Sequence, residues 1–162
     1  MPAISQVKSE VLFPVVIECL NSGQNAKITV TGNSMLPFLR EFKDSVELTG
    51  VRFEQIKRGD IVLIRRYSGA YVLHRVLKKE QDCFYMVGDA QQWIEGPLYP
   101  DQLIAKVPRV WRKGKEIDCE SFLWKILSLI WLRLRIFRRK MLRVYFILSK
   151  IKLKLTRGVT TG

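Results

Sequence analysis

Between Arg58 and Gly88 the chain reads Arg58-Gly59-Asp60, then Ile61-Val62-Leu63-Ile64, Ser68-Gly69, Tyr71-Val72-Leu73-His74-Arg75-Val76-Leu77, and Cys83-Phe84-Tyr85-Met86-Val87-Gly88. Short runs rich in β-branched and aromatic residues are separated by Gly- and Ser-containing turns, the signature of strands with tight connections. Ile61–Ile64 is apolar throughout and reads as a buried strand. Upstream, Lys27-Ile28-Thr29-Val30-Thr31 and Ser45-Val46-Glu47-Leu48-Thr49 alternate, and they end at Gly32-Asn33 and Gly50. Downstream, Leu103 to Trp111 reads as the last strand, interrupted by Pro108. Short strands with turns about every 8–12 residues predict a mainly β fold, an antiparallel sheet or barrel-like sandwich.

Both flanks differ in texture. Ser5 to Leu20 reads as a short amphipathic helix stopped at Asn21-Ser22-Gly23. Pro14 weakens it, because proline removes a helical hydrogen bond. The apolar run Val11–Ile17 contains Pro14, stops at Glu18 with no small-residue cleavage site after it, and is too short for a membrane span, so neither a signal peptide nor a span is expected there. From Ser121 the chain becomes apolar and basic. Phe122–Leu132 is followed by Arg133-Leu134-Arg135-Ile136-Phe137-Arg138-Arg139-Lys140, and then by Met141–Leu148 and Lys150–Lys154. The expected division is a helix over 1–24, a β domain over 25–118, a basic amphipathic helical segment over 119–157 and a disordered end at 158–162.

The 162 residues carry a formal charge of +13, and it is unevenly placed. Residues 1–111 hold 14 basic and 12 acidic side chains, whereas residues 112–162 hold 14 and 3. The basic character belongs to the tail. There Lys125, Arg133, Arg135, Arg139, Lys140 and Arg143 share one broad side of a helical wheel, and Arg138 strays from it. Leucines, isoleucines and tryptophans fill most of the rest. That composition suits a helix lying on an anionic membrane surface better than one binding nucleic acid. No window of about 18 residues is free of charge, so a clean transmembrane helix is not expected.

One histidine and no Cys-x-x-Cys pair argue against a structural zinc site, and no cofactor is implied. Cys19, Cys83 and Cys119 are an odd, dispersed set and read as reduced packing thiols. The remaining chemistry lies in three places. Gly32-Asn33-Ser34-Met35-Leu36-Pro37 presents a serine at a sharp turn. A serine needs a base to become a nucleophile, and the one histidine, His74, lies on a predicted strand. Val87-Gly88-Asp89 places a carboxylate just after another. On residue type alone each is an ordinary structural feature.

Their order is more informative. Gly32–Pro37, Arg58–Ile64, Val72–Val76, Tyr85–Asp89 and Tyr99-Pro100-Asp101-Gln102-Leu103-Ile104-Ala105-Lys106-Val107 together resemble the type I signal peptidase family, over about residues 26–110. The resemblance implies a serine endopeptidase on an antiparallel β scaffold. Ser34 would be the nucleophile, His74 the base of the histidine branch, and Asp89 the acidic partner that orients it. Asn33, Met35 and Gly32 would line the oxyanion and substrate cleft. Some members carry a hydroxyl two residues before the serine. Gly32 stands there, so backbone N–H groups, that of Ser34 among them, would hold the oxyanion. The family's further acidic residue is displaced here, and Glu95 is the candidate for it. Either carboxylate can orient His74, with Asp89 favoured. No stretch matches the family's usual N-terminal anchor.

The implied substrate is a signal or leader peptide, handled at a membrane. Two alternatives stand beside it. One is a non-enzymatic basic module binding lipid or nucleic acid. The other is a self-cleaving, repressor-like peptidase, disfavoured because about 25 residues precede the strands and no lysine occupies the His74 position.

Overall fold

A computed structural model describes residues 9–138, 140–145 and 147. The expected disordered end at 158–162 and the last part of the expected helical segment lie outside them. The fold is mainly antiparallel β, with a short N-terminal helix and a C-terminal helix, as the strand pattern and flanks predict. Helix α1 is Ser9–Asn21, with Pro14 inside it. The strands are β1 Ala26–Thr29, β2 Asp44–Gly50, β3 Ile61–Arg65, β4 Tyr71–Lys79, β5 Phe84–Val87, β6 Glu95–Leu98, β7 Leu103–Arg112 and β8 Lys115–Asp118. Helix α2 is Phe122–Arg133, followed by a 3-10 turn at Leu134–Phe137.

The sheet order is β1-β2-β7-β3-β4-β5-β6, with β8 added to β7. Every pairing is antiparallel. The apolar run on β3 is explained by two cores. Ile61 and Leu63 join one with Val46, Leu48, Val107 and Trp124. Val62 and Ile64 join the other with Val76, Phe84 and Met86. Because successive strand residues point to opposite faces, a strand covered on both faces must be apolar at every position.

Two strands were not legible in sequence, and one was read as broken. Pro108 does not end β7. Glu47 pairs with Arg109 and Thr49 with Lys106, so β7 carries an extra residue there, at a bulge where proline's missing N–H is tolerated. Strand β6 contains Gly96-Pro97, which reads as a turn, yet it forms an edge of the sheet. Its Gly96 is at φ +145°, and a Cβ there would lie 2.6 Å from the Tyr85 ring. Strand β8 is short and largely exposed, so it lacks the apolar alternation that marks the others.

Helix α1 seats Val16 and Leu20 in the first core, and Phe13 stacks on Tyr71 with ring centres 4.3 Å apart. Helix α2 buries Trp124, Ser128, Trp131 and Leu132. Trp124 belongs to the same core as β2, β3 and β7, so the start of the basic segment is built into the β domain rather than appended to it. No helix among the described residues is long and apolar enough to cross a membrane.

Candidate active site

The loop from Thr31 to Lys43 carries Ser34. It is closed at its base by Val30, which donates to Asp44 O at 2.9 Å and accepts from Phe42 N–H at 2.9 Å. Asp44 is fully buried and held by Arg40 at 2.7 Å and Arg112 at 2.9 Å, and hydrogen bonds with the two guanidinium groups keep its carboxyl below the usual range despite burial. Met35, Leu36 and Leu39 are buried and pin the loop from below. At its tip, Gly32 adopts a left-handed φ of +82°. Its N–H donates to Glu41 Oε1 at 2.8 Å, and Asn33 Nδ2 donates to Glu41 Oε2 at 2.9 Å. One carboxylate thus ties both residues before Ser34.

Ser34 is half-buried in the wall of a cleft of about 270 Å³, which also includes Gly32, Met35, Arg66, Tyr71, His74 and Gln91. Ser34 and His74, 40 positions apart, face the same space. No hydrogen bond joins them among the described residues. Catalytic hydrogen bonds of this kind often tighten only when substrate binds. Of the expected cleft residues, Gly32 and Met35 line it, whereas Asn33 turns to Glu41. With the Gly32 N–H given to Glu41, an oxyanion at the tip would need other backbone donors, the Ser34 N–H among them. A larger cleft of about 380 Å³, lined by Leu20, Asn21, Arg52 and Leu103, holds no nucleophile–base pair.

His74 and Arg75 follow one another on β4, so their side chains leave opposite faces of the strand. This separation assigns the two acidic candidates. Arg75 takes Asp89: Nε donates to Oδ1 at 2.9 Å and Nη2 to Oδ2 at 2.7 Å, with both residues fully buried. Arg75 Nη1 also donates to Gly59 O at 2.8 Å and Ser128 Oγ at 2.7 Å, and the guanidinium lies 4.5 Å from the centre of the Phe38 ring. Asp89, favoured in the sequence as the residue orienting His74, instead turns its carboxylate to Arg75 and makes no hydrogen bond to His74 among the described residues. The carboxylate facing the imidazole is that of Glu95, whose Oε2 is 3.6 Å from His74 Nδ1. That is too long for a hydrogen bond, and the two become an ion pair only when the imidazole takes up a proton. Glu95 is clamped by Arg66, through Nε to Oε1 and through Nη2 to Oε2 at 2.8 Å.

These surroundings set protonation. Burial lowers the His74 pKa below 6.5, opposed by the Glu95 charge and assisted by Arg66. Its imidazole is therefore neutral at pH 7, the form that accepts a proton. The Arg66 hydrogen bonds hold Glu95 below the usual carboxylate range, so it is ionised. Burial pushes the Cys119 thiol up to about 12, which leaves it inert as a nucleophile at neutral pH.

The turn after β5 joins these parts. Ala90 N–H donates to Ser34 O at 2.8 Å, and Gln91 N–H donates to Gly88 O at 2.9 Å. A Cβ on Gly88 would lie 2.8 Å from Ser34 O, so only glycine admits this approach. From the other side the C-terminal segment grips the same turn. Trp131 Nε1 donates to Asp89 O at 2.9 Å. Arg138 Nη1 donates to Gly88 O at 2.8 Å and Gln91 O at 3.0 Å, and Arg135 Nη1 donates to Gln92 O at 3.1 Å.

Sequence reading missed Glu41, Arg66 and Arg138. Glu41 and Arg66 had no signal, since a charged residue in a loop is ordinarily solvated. Arg138 had one: it alone left the basic side of the wheel, and it is fully buried. In comparisons with known proteins, the sequence matches no family model and no curated protein.

Proposed function

We propose that the chain is a serine endopeptidase of signal-peptidase type, cutting signal or leader peptides by a Ser–His mechanism at an anionic membrane surface. The observation that carries this reading is the shared cleft of Ser34 and His74, with an ionised Glu95 on the far side of the imidazole. The motif order of the sequence supports it. Strand β1 ends one sheet edge, three residues before Gly32, and offers an open ladder beside which an extended peptide can lie. The apolar wall of the cleft, with Val30, Val72 and Leu73, suits the small residues preceding the cut in the family it resembles.

In the reaction, Ser34 Oγ attacks the scissile carbonyl while His74 accepts its proton. Glu95, steadied by Arg66, stabilises the imidazolium that forms. The Ser34 N–H holds the oxyanion. His74 then protonates the departing amine, and water, activated by the same imidazole, releases the acyl group. Asp89 holds Arg75 and the turn against which the Ser34 loop rests. The outward side of α2 leaves Phe122 81% and Leu123 68% exposed, and the same helix also exposes Lys125 and, at its far end, Arg133. Exposed apolar side chains next to cations fit a lipid interface.

The decisive assay is cleavage of a leader peptide by Ser34→Ala and His74→Ala variants. Each should lose about three or more orders of magnitude in kcat. Full cleavage by either removes the assignment.

A further inference from the structure

Hydrogen bonds converge from the basic C-terminal segment onto the few residues that support Ser34. Trp131 and Arg138 hold the carbonyls of Gly88, Asp89 and Gln91. Arg135 holds Gln92 O. Ser128 accepts from Arg75, the partner of Asp89. The held turn in turn donates from Ala90 to Ser34 O.

Arg138 is the least expected of these groups. It is fully buried, and the bonds it makes are to carbonyls: Gly88 and Gln91 through Nη1, and Trp131 through Nη2 at 3.2 Å. Its Nε has no hydrogen-bond partner among the described residues. Burial lowers its pKa to about 10, so it remains a cation at neutral pH. A buried cation held by carbonyl dipoles is expensive to retain when an apolar side chain would fill the space. Its guanidinium fork does what no apolar residue can, bridging carbonyls three residues apart on one turn and a third on α2.

We propose that Trp131 and Arg138 are positioning residues of the peptidase site. The C-terminal segment clamps the Gly88–Gln92 turn, the turn fixes Ser34 O, and the Ser34 hydroxyl is thereby set toward His74. The inference rests on the peptidase reading and adds to it that the basic segment is part of the catalytic apparatus. A displacement of about 1 Å in such a site is enough to lower turnover about 100-fold, which makes the clamp measurable.

The test uses the full-length chain with two variants. Trp131→Phe keeps an aromatic ring in the core while removing the indole N–H and part of the ring volume, and the thermal midpoint reports the packing loss separately. Arg138→Ala leaves a cavity that free guanidinium ion can enter. Three quantities are read: kcat and KM on a leader peptide, the rate of Ser34 labelling by a fluorophosphonate, and the thermal midpoint. Trp131→Phe should lower kcat about tenfold with KM unchanged, as expected for one lost hydrogen bond. Ser34 labelling should slow in parallel. Arg138→Ala should lose about 100-fold in kcat, and millimolar guanidinium should restore part of it, which a purely structural loss would not allow. Full kcat in both folded variants, or no recovery of Arg138→Ala with guanidinium, overturns the positioning role. If Ser34-dependent cleavage by the wild type persists in that case, the peptidase reading stands alone. A wild type that neither cleaves the peptide nor labels at Ser34 overturns both.

Discussion

His74 and Arg75 are adjacent in sequence and belong to different chemistries, because β4 sends them to opposite faces. Each has its own carboxylate, and the two should respond differently to neutralisation. Glu95→Gln removes the anion that raises the His74 pKa, so the acid limb of kcat/KM should move to lower pH. The loss of imidazolium stabilisation should also lower kcat about 100-fold or more. Arg66→Gln removes a cation that lowers the same pKa, so its acid limb should move to higher pH. Opposite shifts in the two pH–rate profiles identify Glu95 as the partner; shifts in one direction, or none, discard it. Asp89→Asn should instead leave Arg75 as an unpaired buried cation, costing about 3–5 kcal/mol in urea unfolding. Wild-type stability in that variant would contradict the structural role given to Asp89.

Elements, more than single side chains, bring the site together. The Ser34 loop follows β1, the histidine lies on β4, and the turn after β5 locks against the loop through one hydrogen bond and one glycine. Gly88→Ala tests that junction. Its Cβ would meet Ser34 O at 2.8 Å and Gln91 Oε1 at 2.5 Å. Gln91 can swing aside, but the backbone oxygen must shift. We expect a loss of about 1–3 kcal/mol from overpacking, and slower fluorophosphonate labelling of Ser34. Unchanged labelling would mean that the turn does not set the serine. The strands themselves were mostly legible, because period-2 alternation and Gly-containing turns are local signals. Strand β6 was not, since Gly96-Pro97 mimics a turn and is tolerated only because β6 is an edge. Glu95, the carboxylate that faces His74, lies on that unread strand, and the sequence offered it only as the second choice after Asp89.

At the scale of the molecule, helix α2 and the turn after it present apolar side chains and cations at the surface. Helix α2 turns Trp124, Ser128 and Trp131 inward and exposes Phe122, Leu123, Leu127 and Ile130. After it, Ile136 and Phe137 are also exposed, beside the cations at Arg133 and Lys140. Vesicles containing anionic lipid should therefore sediment the protein, less so as salt rises across the range where the Debye length shortens below about 10 Å. The pair Leu123→Ser and Ile130→Ser should weaken vesicle binding at least about tenfold through lost apolar burial, and should leave hydrolysis of a soluble peptide unchanged. A DNA mobility shift in the absence of vesicle binding would replace lipid by nucleic acid as the partner of this surface.

The sequence by itself determined the antiparallel β class, the short N-terminal helix, the separation of charge from chemistry, and the trio Ser34, His74 and Asp89 as residues worth locating. Those follow from local periodicity, turn chemistry and the order of motifs along the chain. Only the tertiary structure decided which carboxylate faces which base. Strand pairing across β4, β5 and β6 brings Glu95 to His74 and leaves Asp89 to Arg75. It also decided that the basic segment is partly internal. A helical wheel displays the angular spread of charge but not which side meets a neighbour, and Arg138 became a buried clamp because the carbonyls of a distant turn lie within reach of its guanidinium.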